Sequence, residues 1–334
     1  MNRALLALLA CILFSSPAFA QDHDFYWANI DHPGNVPYQS PDPDFPSIAD
    51  GRGSVSYSYR IAKMEVSTAE WMEFVNTFST QGGGYGFTDT PPIFWGAQVD
   101  PNYHGIGWKY QLQSRDNSDL APVGGIIWRD AARYCNWLHN GKLMTRDSLI
   151  TGAYDTTTFG GDSGDISDVP VHLAGAKYWI PTYDEWLKAT FFDPNRHGSG
   201  VEGWWSYANS SESPGISGPP GIGTTSCDWR VANFGEWKIP LGAYPASLSP
   251  WGLLDTSGGA REWTEDLVRN ERRSLGSFAG ARPISARDLI GDGSSIAPFL
   301  QESGTGLRIA SIPTPTIPLA ALTFFLKLTP RRRR

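Results

Sequence analysis

Fourteen tryptophans, all between Trp27 and Trp263, are spread through a chain that also carries 36 glycines and 25 prolines. Glycine and proline interrupt helices and strands, so long regular elements cannot dominate. Each indole buries a large apolar area from a single position. Irregular loops pinned by scattered aromatic anchors meet both constraints, and most of the tryptophans read as core fillers. With 334 residues the chain has length for one large domain or two ordinary ones.

The ends stand apart from this middle. "MNRALLALLACILFSSPAFA" combines Arg3, an apolar run and the small-x-small site Ala18-Phe19-Ala20. It reads as a secretory signal peptide over residues 1–20. A lipoprotein reading through Cys11 ranks second, because so little apolar sequence precedes that cysteine. The last segment, 312–334, runs from "IPTPTIP" into the apolar stretch Ile317 to Leu326 and then four arginines. That stretch is shorter than the ~20 residues of an ordinary span, but a basic cluster behind it suits a pause in a membrane. It resembles the PEP-CTERM sorting tails of Gram-negative bacteria, with Pro313-Thr314-Pro315 lacking the glutamate. The expected location is therefore outside the cell or on its envelope, with export and sorting machinery as partners.

Without Arg3 and the five basic residues of the tail, the formal net charge of −7 becomes −13. A nucleic-acid partner would need a basic face and is excluded. Calcium or a cationic partner fits better. Cys135 and Cys227 are the cysteines left after signal removal, and an exported chain could join them. Cys135, inside a helical pattern, reads rather as a small buried hydrophobe.

Residues 21–52, rich in proline, aspartate and glycine, read as an irregular lead-in. "SVSYSYRIAKMEV" alternates Val55, Tyr57, Tyr59 and Ile61 on one expected strand face. "STAEWMEFVN" has Ser67 and Glu70 at capping-box spacing, with Trp71, Phe74 and Val75 as the apolar stripe. A second helix fits "WRDAARYCNWLHNG", with Trp128, Ala132, Cys135 and Leu138 inward and Gly141 as its stop. The third is "TYDEWLKATFFDP", capped by Thr182 and Glu185 and ended by Pro194. Long loops separate these helices, over about 77–120, 151–175 and 197–230, and after Arg230 the pattern suits hairpins. The class is α+β.

In this order the pieces "YRIAKMEVSTAEWMEFVN", "APVGGIIWRDAARYCNWL", "YWIPTYDEWLKATFFDP", "SPWGLLDTSGGAREWTEDL", "RRSLGSFAG" and "GLRIA" resemble the formylglycine-generating enzyme (sulfatase-modifying factor) family, from about Tyr57 to Ser311. The resemblance implies one C-type-lectin-like domain over residues 53–311, with few helices, short antiparallel strands and long ordered loops.

The family's chemistry does not follow automatically. Its members oxidise a substrate cysteine on copper held by a cysteine pair just after the G-G-S-W segment. Here those positions fall near Gly280 and Ser285, and no cysteine follows Cys227. Cu(I) needs soft thiolates, so copper is not expected and the catalytic set is empty. An iron-dependent branch would want two histidines and a carboxylate on one metal. His23, His32, His104, His139, His172 and His197 are scattered, and His104 in its aromatic loop is the hardest to set aside.

Calcium is the ion the resemblance supports best. Family members hold it with oxygens at the G-N-V-W-E-W turn and at an upstream asparagine. Glu262 and Ala260 keep their roles here, while Gly259 replaces the asparagine and Arg261 the first tryptophan; upstream, Asn233 is retained. The alternative for Glu262 is an internal salt bridge with an arginine such as Arg308. Asp162, Asp165 and Asp168 form an acidic loop whose spacing differs from an EF-hand, and which reads more simply as solvated.

The leading functional reading is a diverged, exported, surface-associated member that binds a glycan or peptide or supports envelope structure. Trp95, Trp108, Trp204 and Trp205 are candidate stacking residues. The rival is a metal-dependent oxidoreductase acting on a peptide or small thiol.

Overall fold

The structure is a computed structural model and describes residues 23, 25–44, 46–79, 90–161, 166–268, 271–276, 295–296 and 300–313. The signal and nearly all of the sorting tail, Gly280, Ser285, Asp162 and Asp165 lie outside the described residues. In chain order the elements are β1 (Trp27–Ile30), β2 (Tyr59–Ala62), α1 (Thr68–Ser79), β3 (Ala97–Val99), β4 (Tyr110–Leu112), α2 (Trp128–His139) and α3 (Asp147–Ile150). They continue with β5 (Tyr178–Trp179), α4 (Tyr183–Phe191), β6 (Phe192–Asp193), β7 (Gly203–Trp204), β8 (Arg261–Val268), β9 (Glu271–Leu275), β10 (Ser295–Ile296), β11 (Thr305–Gly306) and β12 (Ala310–Ser311).

Two four-stranded sheets carry the molecule, in the orders β1-β2-β12-β5 and β10-β9-β8-β11. Among the described strands the pairings are antiparallel except β11 beside β8. The last described strand, β12, closes onto β2 and β5, so the start, middle and end of the domain meet in one sheet. Few helices, short strands and much ordered loop make an α+β domain. The expected loops are not bare: 77–120 and 197–230 contain the β3–β4 hairpin and strand β7. No helix among the described residues is long and apolar enough to cross a membrane.

Both capping boxes form. Ser67 N–H donates to Glu70 Oε2 at 2.7 Å, and Thr182 N–H donates to Glu185 Oε2 at 2.8 Å. Each pair satisfies backbone donors that a helix start leaves open. On α1, Trp71, Phe74, Val75 and Phe78 follow the helical repeat and are buried. Phe74 packs 5.2 Å from Tyr134 and 5.4 Å from Trp137 on α2, so the two helices are joined by interlocked rings. Trp128, Ala132, Cys135 and Leu138 all face inward, and Gly141 ends that helix at φ +70°. Cys135 and Cys227 are both buried as thiols rather than joined.

One expected face needs correction. Strand β2 begins only at Tyr59, and all four of its residues are buried. It lies between β1 and β12, covered on both faces, so the alternating pattern of a half-exposed strand does not apply. Val55, Tyr59 and Ile61 are buried as expected, but Tyr57 lies ahead of the strand and is 45% exposed.

Candidate functional site

Tyr57 opens the way to the most chemically loaded region. Its hydroxyl donates to Glu185 Oε1 at 3.0 Å. Glu185 is fully buried at the start of α4, where capping Thr182 already commits one carboxylate oxygen. Trp179 Nε1–H donates to the same carboxylate at 3.0 and 3.2 Å. Burial raises the Glu185 pKa, against the hydrogen bonds from Thr182 and Trp179. Burial and the Glu185 charge together hold the Tyr57 phenol well above its ordinary value. Tyr57 is therefore a donor at any physiological pH.

Strand β8 supplies two more carboxylates, and strand alternation sends them opposite ways. Glu265 turns inward. It accepts from Tyr154 Oη at 2.6 Å and from His172 N at 2.9 Å, and lies 2.9 Å from His172 Nδ1. Asp266 turns to Arg52 Nη2 (2.8 Å) and to Tyr183 N (2.6 Å). Arg52 also forks onto Asp184, with its Nε 2.8 Å from Oδ1. The His172 ring stacks on Trp179 at 4.7 Å. Burial disfavours its charged form, but the hydrogen bond to Glu265 and the charges of Glu265 and Glu185 outweigh that and raise its pKa.

These groups border a cleft of about 430 Å³, whose lining includes Ser56, Tyr57, Val171, Asp184, Glu265 and Leu267. Three carboxylates, those of Asp184, Glu265 and Asp266, line it and make it acidic. It can accept a cationic group.

The residues singled out from the sequence lie mostly elsewhere. Glu262 is buried and forked by Arg308, with Nη2–Oε1 at 2.7 Å and Nε–Oε2 at 2.9 Å; Trp186 Nε1–H also donates to it. This is the internal pair weighed above, and both oxygens are engaged by protein donors. Ala260 N–H donates to Glu65 at 3.0 Å, and Gly259, at φ +70°, rests against the same carboxylate. Asn233 is exposed in a 3-10 segment over 232–238, at φ 58°. Among the described residues no three His, Cys, Asp or Glu side chains are grouped to hold a metal. Hard-oxygen coordination at this turn would have to displace Arg308 from Glu262.

Of the four tryptophans, Trp108 is 59% exposed on the loop between β3 and β4. Trp95 packs edge-on to Tyr110. Trp204 sits among Tyr38 and Phe192, with its Nε1–H donating to the Val36 carbonyl. Trp205 is covered by the Arg196 guanidinium at 3.6 Å. Asp168 is paired with Arg129 at 2.8 Å. His104 is exposed, whereas His172 carries the contacts that matter. Sequence reasoning missed His172, Glu265 and the role of Tyr57. The Glu185 cap was legible, but its side-chain donors Tyr57 and Trp179 were not.

A profile of the sulfatase-modifying factor enzyme 1-like domain (FGE-sulfatase) matches residues 32–308. Hercynine oxygenase of Mycolicibacterium smegmatis is 24% identical over 250 residues, which is 72% of this chain and 47% of that protein. The chain thus spans about half the length of that curated relative. Among solved structures, CarF aligns with TM-score 0.47 and 15% identity over 87% of this chain and 99% of that one. PvdO from Pseudomonas aeruginosa aligns with TM-score 0.47 and 13% identity, over 89% and 97%. With the matched profile spanning most of its length, the chain belongs to the sulfatase-modifying factor enzyme 1-like (formylglycine-generating enzyme) family.

Proposed function

We propose that this chain is an exported, catalytically diverged family member that binds a basic peptide segment in the acidic cleft. The observation that carries the reading is the cleft's chemistry. Asp184, Glu265 and Asp266 line it, Tyr57 and Leu267 give it apolar walls, and none of its lining residues carries sulfur. A lysine or arginine side chain would find carboxylate acceptors there and an aromatic ring beside them. Calcium is retained only as a structural ion that the acidic surface could recruit.

Thiol-dependent copper chemistry does not fit the residues present. The sequence has glycine and serine where the copper cysteines would stand. Cys135 and Cys227 are both buried, and burial raises the Cys135 pKa well above the ordinary thiol value. Neither can present an accessible thiolate.

The name of the M. smegmatis relative supports a second reading, a metal-dependent oxidoreductase acting on a peptide or small thiol. Elemental analysis of the purified chain, paired with oxygen consumption on thiol peptides, separates the two. Near-stoichiometric copper or iron with turnover would sink the binding reading. The binding reading expects calcium or no metal. It also expects salt-sensitive binding of lysine- and arginine-containing peptides, weakened by Tyr57→Phe and Glu265→Gln.

A further inference from the structure

Another cavity, of about 350 Å³, lies at the C-terminal end of α2 and shares no lining residue with the acidic cleft. Its walls come from the helix end, Leu138 to Gly141, from Lys177 and Tyr178 at the start of β5, and from His23 of the lead-in. None of these residues carries a carboxylate, although the chain has 34 acidic residues against 27 basic ones. Two hydrogen bonds arrange its donors. Lys177 N–H donates to His139 Nδ1 at 3.1 Å, so the neutral ring carries its hydrogen on Nε2. Lys177 Nζ donates to the His139 carbonyl at 3.3 Å, which takes one of the three ammonium hydrogens. Across the cavity, His23 Nε2–H donates to the Leu138 carbonyl at 3.0 Å.

A helix C-terminus by itself favours a cation, but its effective charge is only about −0.5. The Lys177 ammonium beside it carries a full positive charge, so the positive sign prevails in the cavity. Burial, then the Lys177 charge, lowers the His139 pKa below the ordinary 6.5. An anion entering the cavity would offset the Lys177 charge and let the imidazole take up a proton, which adds a second cation. Lys177 is the charged group that faces His139; His23 and Tyr178 share the cavity wall, and Gly152 lies against the ring from the loop after α3. An ammonium and an imidazole N–H bordering one space are complemented by oxygens that accept from both, and charge strengthens such bonds.

We propose that the cavity between the end of α2 and the start of β5 binds the oxyanion head of a small ligand, with Lys177 as its charge partner and His139 Nε2–H as a donor. His139 takes up a proton as the anion enters, so affinity rises as pH falls. The site is separate from the cation-binding cleft, and either assignment can fail without the other.

The test is calorimetry of the whole processed chain with acetate and with inorganic sulfate, against chloride at equal ionic strength. It is run at one pH below and one above the ordinary histidine value, in two buffers of different ionisation heat. The expected result is saturable binding that is tighter at the lower pH and draws in protons. Preference for acetate assigns a carboxylate ligand, and preference for sulfate a tetrahedral oxyanion. Lys177→Gln should weaken binding about tenfold or more, by loss of a charge-assisted bond. Lys177→Arg should keep most of the affinity, and the unfolding midpoints of the ligand-free variants guard against a folding defect. His139→Gln should bind more weakly and without proton uptake. Basic-peptide binding in the acidic cleft should be unchanged in Lys177→Gln. If neither anion saturates, or Lys177→Gln binds as the parent does, the site is overturned. Proton uptake that persists in His139→Gln overturns the part given to His139.

Discussion

Arg308 and Glu262 form a fully buried fork, with Nη2–Oε1 at 2.7 Å and Nε–Oε1 and Nε–Oε2 at 3.0 and 2.9 Å. The same guanidinium donates to the carbonyls of Ala62 and Leu254, tying three distant segments together. It has no exposed surface. Arg308→Met should cost about 3–5 kcal/mol, because it strands a buried carboxylate. Denaturant unfolding measures this. Arg308→Met with Glu262→Leu should recover a large part of the loss, since removing both charges leaves none uncompensated.

Glu65 shares this cluster but behaves differently. Burial, then the Glu262 charge, raises its pKa well above the ordinary 4.5, against the attraction of Arg308. A carboxyl with a raised folded pKa stabilises the fold below the ordinary value, and that contribution is lost as pH rises through the folded value. Glu65→Gln keeps an acceptor for Ala260 N–H and needs no proton. It should match the parent below about pH 4.5 and exceed its stability at neutral pH, as urea titrations at the two pH values would show. A less stable Glu65→Gln chain at pH 7 contradicts the assignment.

Restoring the family asparagine at Gly259 should not rebuild a calcium site by itself. Asparagine tolerates φ +70°, but a Cβ there would lie 2.5 Å from Glu65 Oε1. Gly259→Asn is expected to destabilise by about 1–3 kcal/mol with no gain in calcium affinity, read by thermal unfolding with and without calcium.

His172 gives the cleft a pH dependence. Its folded pKa is raised above the ordinary 6.5. Its pairing with Glu265 therefore contributes fully below 6.5 and is lost as pH rises through the folded value. The groups facing it are Glu265, Glu185 and Trp179. His172→Gln should flatten stability across that window, and NMR titration of the imidazole should give an inflection above 6.5.

The tryptophan candidates divide by packing. Trp204→Ala should cost about 3 kcal/mol, since its ring fills a gap beside Tyr38, Phe192 and Gly53. Trp108→Ala should leave stability within about 0.5 kcal/mol, as for an exposed residue away from other contacts. Loss of glycan-array signal in Trp108→Ala alone would therefore report a contact rather than a fold defect.

Local order was legible because its determinants lie within a few residues of one another. Ser67 and Glu70, Thr182 and Glu185, the inward face of α2 with Cys135, and the stop at Gly141 each follow from helix geometry and capping. The ordered series of short segments was enough to identify the family, and the missing cysteines were enough to question its chemistry. Tertiary closure decided the rest. Glu262 meets Arg308 across 46 positions, and Glu265 meets His172 across 93. Tyr57 leaves its expected core face because the strand begins only at Tyr59, and its hydroxyl reaches Glu185 across 128 positions. Periodicity fixes which way a side chain faces within an element, but loop paths decide which buried charge meets which partner. In a chain with so much loop and so many carboxylates, those paths set the site.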